Sequence, residues 1–424
     1  MSHFAAKESY KRLEERLNRF PQGAPPSESL YKILSILFSE REAGLVAQLP
    51  IKPFTVKTAS KIWNMDVACA EKVLNELAGR AILLDADNNG VMEYILPPPM
   101  AGFFEFSLMR TRGDIDQKLL SELLYQYLNV EEDFVKDLFW GSETKLGRVY
   151  VNESVLTNEN EIHILDFERC SNYIETSSDM GISMCYCRHK MEHTHSACDA
   201  PMDICMTFGS TATSLIKHGH ARRVDSVEGM ELLHKAYESN LVQCGENVRE
   251  GVSFICNCCG CCCEALVAAK TFGLTHPVNT TNFLPSVDME CNGCGKCVKV
   301  CPIGAIELVP LSDKEEKRKK AKIDEEICLG CAVCVRACSQ KHMHLKSREN
   351  NIITPVNSVH RIVMMAIEKG KLHELVFDKN TFASHRAMAA ILSVILKLPP
   401  IKQAMASKQM KSVYLERLIS KIKI

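Results

Sequence analysis

CNGCGKCVKVCP at residues 291–302 and CLGCAVCVRACS at residues 328–339 are the two stretches on which the reading of this chain turns. Each sets three cysteines at two-residue gaps and a fourth after a three-residue gap. The first contains Cys291, Cys294, Cys297 and Cys301, the second Cys328, Cys331, Cys334 and Cys338. Two-residue gaps let successive thiolates curl over the irons of one cubic iron–sulfur cluster, while the offset fourth cysteine is expected to begin a helical turn and point away. Paired zinc sites suit the spacing less well, because zinc ribbons join two separated Cys-x2-Cys knuckles. Gly293, Gly295 and Gly330 lie between the ligands, where a residue without Cβ lets backbone N–H groups approach sulfur.

The bulk properties widen the frame around these motifs. A chain of 424 residues suits two to four domains, and 46% hydrophobic with 24% charged residues describes a folded protein. Net charge is −1, which offers no broad basic surface for nucleic acid or acidic lipid. The opening MSHFAAKESYKRLEERLNRF reads as a charged helix without the apolar centre of a signal peptide. No stretch reaches the ~20 apolar residues of a membrane span; the longest candidate, Ala387–Leu398, stops at Pro399 and Pro400. The expected location is cytoplasmic, and in a reducing compartment 21 cysteines mean metal or redox work, not disulfides. Cys69 stands alone and reads as a small buried hydrophobe; the other 20 cysteines lie between positions 170 and 338.

Upstream of the paired motifs lies a second constellation. It comprises Cys185, Cys187, Cys198 and Cys205, then Cys256, Cys258, Cys259, Cys261, Cys262 and Cys263, the last six within eight residues. Adjacent cysteines do not form unstrained disulfides, and soft thiolates at this density suit iron–sulfur clusters or zinc. At least one further iron–sulfur cluster is expected here, with structural zinc as the alternative. Cys170 and Cys244 read as ordinary buried thiols. Arg188, His189, His193 and His195 sit among the ligands, either as hydrogen-bond donors to an anionic cluster or, for a histidine, as a ligand. His218 and His220 suit either a surface or a supporting position.

The paired motifs resemble the bacterial-type 2[4Fe-4S] dicluster ferredoxins over residues 288–340; the first matches throughout, and the second has Ser339 where proline is usual. That resemblance implies that Cys291, Cys294, Cys297 and Cys338 hold one [4Fe-4S] cluster, and Cys328, Cys331, Cys334 and Cys301 the other. The wider signatures PPPMAGFFEFSLMR, CYCRHK, CDAPMDICMTFG and FICNCCGCCC resemble a family of bacterial and archaeal multi-cluster ferredoxin-like iron–sulfur proteins, which implies anaerobic-type electron transfer. The Cys258-Cys259-Gly260 step is similar to the CCG motif of heterodisulfide reductases, although the long spacings of that motif are missing.

The predicted fold is α+β and multidomain, mostly helical. Residues 1–28 form an N-terminal helix and linker. Residues 29–100 form a winged-helix-like domain, in which SLYKILSILF, FTVKTASKIWNM and DVACAEKVLNELAGRA are helices and Asn89-Gly90 turns a hairpin. Its would-be recognition helix sets Glu71 and Glu76 against Lys72 and Arg80, a poor face for phosphate. Residues 101–160 form a helical connector, 161–284 a cysteine-rich helical domain, 285–346 the dicluster domain and 347–424 a helical tail. Asp225 with Glu228 reads as a capping box, and the charge run at 313–322 as a solvated loop. The amphipathic tail is expected to pack on the chain or a partner subunit, with peripheral membrane contact as the alternative. Dinucleotide, phosphate-loop and radical SAM signatures are absent.

These features predict an electron relay between redox protein partners, with no catalytic residue assigned. The alternatives are a cluster-dependent oxidoreductase, such as a disulfide reductase using the 185–263 site, and a redox-sensing DNA-binding regulator.

Overall fold

A computed structural model describes residues 7–156, 164–311, 318–349 and 352–376. Most of the predicted helical tail and part of the charge run therefore lie outside the described residues. The chain divides into two compact units. Unit 1 comprises Met1–Thr144, Ser210–Ala221 and Val356–Ile424; unit 2 comprises Lys145–Gly209 and Arg222–Pro355.

Unit 1 is helical with one small sheet. Its helices include α1 (Glu8–Arg19), α2 (Glu28–Leu37), α3 (Glu40–Val46), α4 (Val56–Trp63), α5 (Val67–Gly79), α6 (Gln117–Tyr125) and α7 (Asp133–Trp140), and Ser358–Glu368 and Leu372–Val376 form two more. The Ser27 side chain caps α2 by accepting from the Leu30 N–H, and the helix buries Leu30, Ile33, Leu34 and Leu37 at helical spacing. Ser39 and Glu42 form a complete capping box on α3, a helix that sequence reasoning missed because it is only seven residues long. Strands β1 (Phe54–Thr55), β2 (Leu84–Asn88) and β3 (Val91–Ile95) form an antiparallel sheet in the order β1-β3-β2. Asn89 and Gly90, both at positive φ, supply the two-residue hairpin turn that their sequence predicts.

The helix Gly209–Lys217 brings Ser210–Ala221 to this unit through a buried carboxylate. Asp85 accepts from the Ser214 hydroxyl at 2.7 Å and from Lys217 Nζ at 2.5 Å, and His218 Nε2 lies 3.0 Å away. His220 is buried nearby, its Nε2 3.1 Å from the Gly79 carbonyl.

Unit 2 contains a six-stranded antiparallel sheet, which corrects the expectation of a helical cysteine-rich domain. Strands β4 (Gly147–Val149), β5 (Met180–Met184), β6 (Asp203–Phe208), β7 (Arg222–Val224), β8 (Val242–Glu246) and β9 (Phe254–Cys258) lie in the order β4-β8-β9-β6-β5-β7. All five residues of β8 are buried, as are five of the six in β6, so the alternation that marks a half-exposed strand is missing. Polar side chains inside the sheet satisfy one another: Gln243 Nε2 donates to Asn257 Oδ1 at 3.0 Å, and Asn257 Nδ2 donates to the Ile204 carbonyl at 2.8 Å. Helices α8 (Cys170–Thr176), α9 (Tyr186–His193), α10 (Ser226–Glu238) and α11 (Glu264–Phe272) accompany these strands. The capping box at α10 is half formed. Asp225 accepts from the Glu228 N–H, but the Glu228 carboxylate pairs with Arg222 instead of returning to the cap.

The last part of unit 2 is built from two antiparallel strand pairs and two short helices. Strand β10 (Phe283–Val287) pairs with β13 (Met343–Ser347), and β11 (Ile306–Pro310) with β12 (Lys319–Ile323); α12 (Lys296–Val300) and α13 (Val333–Ala337) pack between them. Lys319–Lys322 therefore belong to a strand and not to the expected loop. Only Ala321 of that strand is buried, with the lysines toward the rim, a pattern that protects an edge strand.

His220 gives a pH test of unit 1. Burial lowers its pKa from 6.5 to about 4, so the unfolded chain binds a proton first and stability falls as pH drops from about 6.5 toward 4. The loss is expected to reach at most about 3 kcal/mol. Hydrogen exchange of α5 amides, corrected for intrinsic rates, should accelerate over that window and should be flatter in His220→Gln.

Candidate metal centres

The eight cysteines of the paired motifs line two cavities, four in each. Cys291, Cys294, Cys297 and Cys338 share one with Leu308 and Met343. Cys301, Cys328, Cys331 and Cys334 share the other with Pro285 and Ile303. Each motif thus sends three thiols to one cavity and its fourth to the other. The turns between cysteines need left-handed backbone: Gly293, Gly295 and Gly330 have φ of 67°, 75° and 72°. Ala332 occupies the position matching Gly295 with φ 65°, a strained conformation for a residue with a Cβ that sequence reasoning did not single out.

The fourth cysteines differ from expectation in one respect. Cys301 and Cys338 end α12 and α13 and do not begin helical turns. The thiols that start those helices are Cys297 and Cys334, within their first turns. Ala305 N–H donates to Cys301 Sγ at 3.2 Å, and Ser339, in the usual proline position, accepts from Lys296 Nζ at 2.9 Å. The Ala305 donor compensates thiolate charge at Cys301, and the donor set of four soft thiolates around each cavity fits an iron–sulfur cluster.

The upstream cysteines occupy the joints between strands and helices. Cys185 immediately precedes α9 and Cys187 lies in its first turn; Cys205 is in β6, Cys256 and Cys258 are in β9, and Cys263 immediately precedes α11. Their side chains form a string. Cys185 interacts with Cys187 and Cys205, Cys205 with Cys256, Cys187 with Cys263, and Cys263 with Cys258. Cys258 reaches Cys244, so Cys244, read from sequence as an ordinary buried thiol, stands at the end of this string. Cys170 is a core residue packed among Tyr150, Tyr173 and Ile174.

Thiolate character alternates along the string. Cys187 and Cys205 hold the Cys185 thiol well below the ordinary range. Cys187 and Cys258 lower Cys263, helped by the N–H groups of Leu266 and Ala265 at the start of α11. Cys187 is pushed up by Cys185 and Cys263, Cys205 by Cys185 and Cys256, and Cys258 by Cys244 and Cys263. A low-pKa thiol is the form that binds metal.

A separate knot gathers Cys198, Cys259, Cys261 and Cys262, whose four sulfurs all lie within 4.8 Å of one another. Cys259 is lowered to about 5, first by Cys262 and then by the Arg188 guanidinium. Arg188 is fully buried and donates to the carbonyls of Pro201 at 2.9 Å and Asn257 at 2.7 Å. The His189 and His193 rings lie with centroids 4.8 Å apart and tilted by 40°, and His195 lies in a left-handed turn. None of these three histidines joins a compact metal-ligating group among the described residues.

Two contacts bind the segments together. Lys190 Nζ and Glu264 meet at 2.6 Å with side chains 0% and 3% exposed, tying CYCRHK to the end of CNCCGCCC. Gly260 sits against the turn after Cys301, where a Cβ would collide with the Pro302 carbonyl, and its own carbonyl accepts from Lys270.

Removing one partner of the buried pair is expected to cost about 3–5 kcal/mol by stranding the other charge. Lys190→Met should therefore lower the melting temperature of unit 2 strongly, and Lys190→Met with Glu264→Leu should recover much of the loss.

A family model described as a 4Fe-4S dicluster domain matches residues 290–341. Ferredoxin-3 of a Nostoc species is 35% identical over 80 residues, covering 16% of this chain and 82% of the relative. One component of an ion-translocating oxidoreductase complex from Methanosarcina acetivorans is 39% identical over 59 residues, 14% of this chain and only 19% of that component. An uncharacterized ferredoxin of Methanocaldococcus jannaschii is 29% identical over 87 residues, 20% of this chain and 47% of the relative. No solved structure matches the chain.

Proposed function

Because this chain belongs to the 4Fe-4S dicluster ferredoxin family through residues 290–341, we propose that it is a multi-centre electron relay between redox protein partners. In this reading one cluster is held by Cys291, Cys294, Cys297 and Cys338, the other by Cys328, Cys331, Cys334 and Cys301. The lining of the two cavities supports that division. When bound, such clusters supply one-electron chemistry, and the protein contributes ligands, hydrogen bonds and spacing.

The single observation that carries a relay beyond the paired motifs is the Gly260–Pro302 contact. It brings the upstream cysteine turn against the residue following Cys301. We assign at least one further iron–sulfur cluster to thiols of the upstream string, Cys185, Cys187, Cys205, Cys256, Cys258 and Cys263. Arg188 offsets their charge: burial works against its protonation, but Cys185, Cys259 and Cys205 favour it.

The chain's own residues shape the route. Cys244 touches Cys258 and its charge is felt at Cys331, which supports an approach of the string to the second cavity. In unit 1, the helices α4 and α5 with the β1-β3-β2 sheet support a winged-helix-like module. Its α5 surface of Glu71, Lys72, Asn75 and Glu76 is mixed in charge and suits a protein contact better than duplex DNA. Among the described residues no helix is long and apolar enough to cross a membrane, and a cytoplasmic location accords with the thiol count.

Iron and acid-labile sulfide analysis of anaerobically purified full-length protein, with electron paramagnetic resonance after dithionite reduction, tests this reading. Two ferredoxin cubes account for about 8 iron and about 8 sulfide, and more of both is expected. Iron and sulfide sufficient only for two cubes would remove the upstream cluster; absence of iron would remove the relay. Stoichiometric oxidation of the reduced protein by a disulfide would instead favour the reductase reading.

Gly260→Ala probes the connection. The added methyl should destabilise unit 2 by about 1–3 kcal/mol and slow electron exchange between the upstream and ferredoxin centres in freeze-quench spectra. Gly79→Ala, where a Cβ meets open space, should leave both unchanged.

A further inference from the structure

The Cys198, Cys259, Cys261 and Cys262 knot differs from every other thiol group of unit 2 in its dimensions. Cys198 Sγ lies 3.6 Å from Cys259 Sγ and 3.9 Å from Cys262 Sγ, and Cys261 Sγ lies 3.8 Å from Cys262 Sγ. A tetrahedral ion with metal–sulfur bonds of about 2.3 Å places its four sulfurs about 3.8 Å apart. These three of the six separations bracket that edge, and the rest stay within 4.8 Å. A [4Fe-4S] cube interposes four irons and four sulfides, and its thiolates cannot all lie within the 4.8 Å that contains this knot.

The paired motifs give an internal comparison. Their eight cysteines line cavities, and among the described residues none belongs to a ligand group packed within 4.8 Å. The string differs in another way: its thiols touch in pairs, and among the described residues no three of them form a group within 4.8 Å. We propose that Cys198, Cys259, Cys261 and Cys262 form a mononuclear tetrathiolate site for one thiophilic divalent ion, with zinc as its natural occupant, distinct from the clusters of the relay.

The surroundings suit that role. Four thiolates around a divalent ion carry net charge −2, and the buried Arg188 guanidinium interacts with both Cys198 and Cys259. The Cys263 N–H bonds the Cys259 carbonyl at 3.3 Å, closing the turn that carries three of the four ligands. The fourth ligand comes from a loop 61 residues earlier in the chain. A closed, four-coordinate site of this kind clamps two segments and leaves no position open for substrate. Cys261 is exposed while Cys262 is buried, so the ion would lie just beneath the surface.

The sulfide count distinguishes this site from a cluster, because a mononuclear site contains no inorganic sulfide. Cys261→Ser with Cys262→Ser, in the full-length protein, is expected to lose one metal ion per chain with acid-labile sulfide and reduced-state resonance signals unchanged. Loss of sulfide along with several irons would overturn the proposal, as would loss of no metal at all. A second measurement on the unsubstituted protein guards against misfolding of the variant. Zinc K-edge absorption should show four sulfur neighbours and no metal neighbour, and exposed Cys261 should resist alkylation until a chelator is added. Immediate alkylation of Cys261 in metal-replete protein, or zinc without four sulfur neighbours, would overturn the site. These outcomes are independent of the iron count that tests the relay.

Discussion

Lys190 and Glu264 meet beyond the reach of water, one a residue after Arg188-His189 and the other directly after Cys263. Two charges pay heavily for leaving solvent, and in similar cases a well-packed apolar pair is as stable. The value of this pair lies in register. It ties α9 to the start of α11, and each helix begins at a cysteine of the upstream string. A slip of either helix would strand a buried charge and separate Cys187 from Cys263. The geometry of the thiols therefore depends on an interaction that contains no sulfur.

Charge balance is the second constraint. Crowded thiols resist ionisation together, and the protein answers with fixed positive or polarised groups. Arg188 stands between the string and the knot, Leu266 and Ala265 present N–H groups to Cys263, and the Ala305 N–H faces Cys301. Each donor is held by backbone or by burial and not by a flexible surface side chain. Such preorganised donors keep thiolates available as ligands at neutral pH.

The parts legible from sequence are those whose signal is local. Ligand spacing at 291–301 and 328–338 is read within a few residues, as is the Asn89-Gly90 turn. The six-stranded sheet was hidden because β6 and β8 are buried on both faces, and cysteine, glutamine and glycine occupy positions where an alternating strand would show apolar residues. Glu228 followed the capping pattern but found Arg222, a residue brought near by folding, a stronger partner than its own cap. The division of the upstream thiols was equally invisible. Cys198 joins residues 61 positions away, and nothing in CNCCGCCC says which thiol faces which neighbour.

That division follows from one compact turn. Cys258 and Cys263, at its ends, belong to the string; Cys259, Cys261 and Cys262, inside it, belong to the knot with Cys198. Gly260 lies between them and must be glycine because the Pro302 carbonyl occupies the space of a Cβ. Six residues thus serve three neighbours, and adjacent cysteines point into different groups. This explains why the segment holds more thiols than one centre needs. A single cluster would require four ligands and would tolerate spacing between them; a shared corner that joins a string, a knot and the turn after Cys301 requires them side by side.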